Sequence, residues 1–72
     1  MNPVFALVIL AMLQGWAVRV INEDELVIEN NSDRGIVCYV YYLDGDFKKM
    51  GVRAHSDSRP FSRYGLDTVE CF

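Results

Sequence analysis

The tetrapeptide His55-Ser56-Asp57-Ser58 holds every side-chain type of a hydrolytic triad. A triad works only when nucleophile, base and orienting carboxylate converge in space, which neighbours on one loop rarely do. No G-x-S-x-G elbow or similar nucleophile setting accompanies these residues. The stretch therefore reads as a solvated loop whose Ser and Asp side chains make turn bonds, and no catalysis is expected. Asp33, Asp44, Asp46 and Asp67 carry oxygens of the kind that bind calcium, yet Asp44-Gly45-Asp46 lacks the rest of an EF-hand loop. Two cysteines and one histidine without C-x2-C spacing make no zinc site. Neither a metal nor a cofactor is expected.

Cys38 and Cys71 are the only cysteines. In an exported chain of this size an even count reads as one disulfide, and in the cytosol it would mean two buried thiols. The chain-entropy stabilisation for a loop of 33 positions is roughly 3.5–4 kcal/mol, enough that Cys38→Ala is expected to unfold so small a domain. Asn30-Asn31-Ser32 is an N-x-S sequon inside the turn-forming run Asn30 to Gly35. Asn30 is accordingly read as an exposed N-glycan acceptor, should the exporting source be a eukaryote.

Aromatic residues form the remaining candidate site. Tyr39 and Tyr41 have the same parity in the run Ile36-Val37-Cys38-Tyr39-Val40-Tyr41-Tyr42-Leu43, Phe47 lies across the following Asp44-Gly45 turn, and Lys49 and Arg53 flank the group. Tyr and Phe supply contact area at interfaces. The need to bury area in a small domain favours a second core layer over this face, and a binding face is the functional alternative.

These side chains must be positioned by a short chain whose charge is unevenly spread. Met1 to Ala17 has no charged side chain, so all seven Lys/Arg and all ten Asp/Glu belong to residues 18–72. Pro3 to Leu13 is an unbroken apolar run, and Gly15 and Ala17 stand at −3 and −1 of a cleavage after Ala17. That is the secretory signal pattern, although no Lys or Arg precedes the run. A retained membrane anchor or a core element are the alternatives, against which the break at Gln14 and the stop at Arg19 count. Residues 1–17 are thus read as a hydrophobic signal helix and residues 18–72 as one small β domain. The net charge of −3 and the lone Lys48-Lys49 cluster exclude a phosphate-backbone binder, so no nucleic-acid partner is expected.

Five strands are expected: Val18–Ile21, Leu26–Glu29, Ile36–Leu43, Phe47–Ala54 and Leu66–Phe72. The run from Ile36 is apolar at both parities, the mark of a central strand covered on both sides. Asp44-Gly45 signals a hairpin with a primed turn. His55–Pro60 reads as a polar loop in which Pro60 blocks ladder donation, and Phe61–Gly65 as a turn or brief helical stretch. No sustained 3.6-residue period follows Ala17, so the domain is all-β, an antiparallel sandwich or barrel. Gly35 to Tyr39, Phe47, and Tyr64-Gly65-Leu66-Asp67 together resemble one βγ-crystallin-type Greek-key motif, a family with secreted inhibitor and toxin members. The likeness spans barely half the chain. It departs where the expected Gly is displaced to Gly51 and a Ser-Ser ending gives way to Glu70-Cys71. The resulting expectation is a small secreted protein that binds a protein partner, with a membrane-anchored form as the alternative and a homodimer through a strand edge as an assembly.

Overall fold

The structure, a computed structural model, describes residues 15–72. The hydrophobic helix expected over the N-terminal segment lies outside the described residues, apart from Gly15 to Ala17. The described chain is all-β: β1 (Trp16–Val20), β2 (Glu25–Asn30), β3 (Ile36–Tyr42), β4 (Phe47–Val52), β5 (Ser56–Asp57), β6 (Phe61–Ser62) and β7 (Leu66–Cys71). All five expected strands are present, each within a few residues of its expected ends. Two further strands of two residues each come from stretches read as loop and turn.

Two antiparallel sheets face each other. In the first, β1 pairs with β2, and β5 and β6 share the other side of β2. In the second, β3 is central between β4 and β7. Alternation sends one parity of each strand inward. The core joins Trp16 and Val18 of β1, Leu26 and Ile28 of β2, and Phe61 of β6 to Ile36, Cys38 and Val40 of β3, Met50 and Val52 of β4, and Val69 and Cys71 of β7. Tyr42 packs against this core, and its hydroxyl donates to the Ser62 carbonyl at 2.9 Å. Partial burial, then the nearby Asp46 charge, push its phenol above the ordinary value of 10.0 because both disfavour the phenolate.

Three expectations are corrected. The first strand does not start at Val18: β1 begins at Trp16, whose side chain is 6% exposed in the core. The Gly15 carbonyl already accepts from the Asn31 amide at 2.8 Å. The β3–β4 turn is not a two-residue primed turn. Gly45 alone in it has positive φ (92°), whereas type I′ needs two such residues. Tyr42 N–H donates to the Asp46 carbonyl and Gly45 N–H to the Tyr42 carbonyl, which makes a three-residue loop with Gly45 in the left-handed position. The third correction concerns the loop ending in Pro60. Glu29 faces Asp57 and Leu26 faces Phe61, so the register slips by one and both Arg59 and Pro60 stand opposite Val27. This is a β-bulge. At its start Ser58 N–H donates to the Ile28 carbonyl (2.8 Å), while Ile28 N–H donates to Ser58 Oγ (2.8 Å). A side-chain hydroxyl thus replaces the main-chain carbonyl that the ladder lacks at that rung, which explains why Ser58 is buried.

Candidate binding face

The register of β3 against its two neighbours lays nine residues, eight of them with side chains, on the outer side of the second sheet. Val37 has Gly51 on one side and Phe72 on the other, the latter through paired main-chain bonds of 3.0 and 2.9 Å. Tyr39 lies between Lys49 and Glu70, and Tyr41 between Phe47 and Thr68. The outward parity of β3 is not covered by a second layer within residues 15–72: Phe72 is 66% exposed, Phe47 56% and Tyr41 37%. The expectation that β3 is buried on both faces is therefore overturned. Its odd residues are apolar, but the first sheet packs only on the even ones.

Aromatic contacts run diagonally across the face. Tyr39 and Tyr41 stack with centroids 6.4 Å apart and planes at 18°. Phe72 meets Tyr39 edge-on at 6.3 Å and 66°, and Phe47 meets Tyr41 at 6.4 Å. These spacings lie in the range where aromatic pairs attract. Side chains held in this way lose less freedom when a partner covers them.

Beneath the face, Cys38 and Cys71 are directly paired residues of β3 and β7 with Cα atoms 4.0 Å apart and sulfur atoms at bonding distance. The adjacent Val37–Phe72 pair exchanges both main-chain bonds, so Cys38 and Cys71 occupy the non-hydrogen-bonded position, where opposing side chains approach most closely. The cross-link points into the core while Tyr39, Glu70 and Phe72 point out. It holds β7 in register and thereby places half of the face.

Of the residues anticipated for this surface, Tyr39, Tyr41, Phe47 and Lys49 come together. Arg53 does not join them in the sheet: it lies beyond Val52, the last residue of β4, and its carbonyl is taken up by Asn30. Phe72, Glu70, Thr68 and Val37 were missed by sequence reasoning. The signal for them was available, since a Cys38–Cys71 bond between adjacent strands fixes the β3–β7 register and sets Phe72 beside Val37.

The outer side of the first sheet is different in kind. Arg19 Nε donates to Glu29 at 3.1 Å, and its Nη2 donates to Asp57, so one guanidinium spans β1, β2 and β5 across Val27. This pairing is largely solvated, worth about 0.2–1 kcal/mol per bridge at most, and leaves no aromatic surface there.

Asn30, read as an exposed glycan acceptor, is 1% exposed. Its Nδ2 faces the carbonyls of Arg34 (2.9 Å), Val52 (3.1 Å) and Arg53 (3.1 Å). Its Oδ1 accepts from the Ser32 amide at 3.0 Å and hydroxyl at 2.7 Å. The folded domain presents no free amide there, and Asn30 instead bolts the end of β2 to the end of β4. The triad-like residues do not converge. His55 Nε2 lies 2.7 Å from Asp33, Ser56 Oγ donates to the Ala54 carbonyl, Asp57 pairs with Arg19 and Ser58 serves Ile28. Asp44 and Asp46 make turn bonds to the amides of Asp46 and Phe47. No group of acidic, His or Cys residues suited to a metal occurs among the described residues.

No family model, no curated protein and no solved structure matches this chain.

Proposed function

We propose that this chain is a small secreted β protein that acts by binding another macromolecule, a protein partner, through the outer face of its second sheet, without catalysis. The observation that carries this reading is the uncovered aromatic diagonal Phe72–Tyr39–Tyr41–Phe47. Exposed apolar area of this kind costs solubility and marks contact surfaces in small domains. Export is supported by the apolar segment over Pro3 to Leu13 and by a cross-strand disulfide, which persists in oxidising compartments. The burial of Trp16 supports processing upstream of it rather than after Ala17. It equally suits the second reading, in which the N-terminal hydrophobic segment ahead of β1 is retained as a membrane anchor.

Two measurements test this reading. Intact mass and N-terminal sequence of the natural product, with and without reductant, separate the forms: secretion predicts a chain that keeps Trp16 and gains two daltons on reduction, while a full-length membrane-bound chain supports the anchor. For binding, proteins captured from the surroundings of the natural source by the wild-type chain are compared with those captured by Tyr41→Ser/Phe47→Ser. A partner lost in that variant, with the melting temperature unchanged, is expected. A partner retained equally by both chains refutes this face.

A further inference from the structure

We infer that the partner of the aromatic face is a second copy of this chain, docked face to face about a two-fold axis that runs along β3. The inference rests on the reading of that face as a binding surface. Its nine residues form a grid of three rows: Gly51, Val37, Phe72; then Lys49, Tyr39, Glu70; then Phe47, Tyr41, Thr68. A two-fold axis in the plane of the face and along the central strand sets each residue of β4 against its row-mate in β7 of the other copy, and each β3 residue against itself.

Charge and shape then both match. Lys49 of each copy meets Glu70 of the other, making two ion pairs around a Tyr39–Tyr39 centre. Within one copy these two charges flank Tyr39 on opposite sides, about two strand spacings or roughly 10 Å apart, too far to pair. Neither takes part in an ion pair among the described residues. Phe72, the most exposed ring of the face, meets Gly51, where a Cβ would find no atom within 4 Å. Phe47 meets the smaller Thr68. An axis across the strands would set Lys49 on Lys49 and Glu70 on Glu70, so the charge pattern selects the first arrangement. Twisted sheets pack about 30° from alignment, which displaces residues one strand from the centre by only about 2–3 Å, within the reach of Lys and Glu.

Residues 1–14 do not meet the same requirement. They join the described domain at Gly15, just ahead of the first strand of the opposite sheet, and carry no charged side chain to answer Lys49 and Glu70. The face is three strands wide and three rows deep, at the small end for specific interfaces, so association in the micromolar range or weaker is expected.

The test is sedimentation velocity over a concentration series, on the chain as isolated from its source with the disulfide intact. Lys49→Glu alone and Glu70→Lys alone each set like charges together and are expected to weaken self-association at least tenfold. An equimolar mixture of the two variants restores both ion pairs, and is expected to recover association to within about threefold of wild type. Gly51→Leu, which fills the seat of Phe72 without straining the backbone, is expected to abolish it. A wild-type chain that stays monomeric to millimolar concentration overturns the inference. So does a dimer indifferent to the charge changes, as pairing through a strand edge would give. If Tyr41→Ser/Phe47→Ser still loses a foreign partner in either case, the face binds and only its occupant was wrong.

Discussion

Replacing Asn30 by Asp changes one nitrogen to oxygen and adds no volume, yet it should nearly unfold the domain. The Asn30 Nδ2 has two hydrogens shared among three carbonyls, of which that of Val52 is buried and those of Arg34 and Arg53 are half-exposed. Asp cannot donate in its ionised form. The buried carbonyl then loses its partner at a cost of about 1–3 kcal/mol, and a half-exposed one at about 1 kcal/mol, because water can reach it. A carboxylate against three carbonyl oxygens adds a further 1–2 kcal/mol or so, since burial and nearby negative dipoles both oppose ionisation. The sum is about 3–6 kcal/mol, against roughly 3–9 kcal/mol of total stability for a domain of this size. The effect has a signature in pH. The new carboxyl has a folded-state pKa above its unfolded value of about 3.9, so the added penalty is absent below that value and grows as pH rises through it. Urea unfolding followed by the single buried Trp16, on wild type and Asn30→Asp at pH 7 and near pH 3, measures both quantities. The deficit at pH 7 should exceed that at pH 3 by at least about 1 kcal/mol, the lower end of the ionisation penalty. A deficit under about 1 kcal/mol at pH 7, or one equal at both pH values, would refute the bracket role of Asn30.

A chain beginning at Val18 lacks Trp16, and loss of a buried Trp side chain costs about 3–5 kcal/mol; circular dichroism should show it unfolded where a chain beginning at Gly15 is folded. Ser58→Ala leaves the buried Ile28 N–H without its acceptor, for a loss of about 1–3 kcal/mol in urea unfolding, whereas Ser56→Ala should change little. The raised phenol of Tyr42 means that the unfolded chain loses its proton first as pH rises. Stability due to this group is therefore intact below 10.0, the ordinary value, and falls above it. Melting curves from pH 8 to 11 should show that alkaline loss reduced in Tyr42→Phe.

Much of the architecture is legible in the sequence because strands and turns have local causes. The β3 run is bounded by Gly35 and Asp44-Gly45, and the single cysteine pair has one possible partner choice. What escapes is set by neighbours distant in the chain. Asn30 looks like a turn residue until Val52 and Arg53, more than twenty positions on, arrive to accept its bonds. Trp16 looks like the tail of a signal because its hydrophobic context continues one, and only the pairing of Trp16 with Asn30 assigns it to the sheet. The two apolar faces of β3 look equivalent in sequence. Which of them is buried depends on where β2 and β6 lie, which no local pattern of β3 encodes.

The bulge at Arg59 and Pro60 makes the length of that connection a matter of phase. Most surface loops tolerate added or removed residues because closure entropy changes slowly with length. Here the extra residue reverses the alternation of the strand, so that Ser58 and Phe61, three positions apart, both point inward. Deleting either Arg59 or Pro60 would set Ser58 and Phe61 two positions apart, where simple alternation keeps both of them pointing inward. A segment that is polar and exposed at its tip would be an obvious place to splice in a tag or an epitope. An insertion there is instead constrained by parity: without a bulge, simple alternation returns Phe61 to the core only when an even number of positions separates it from Ser58.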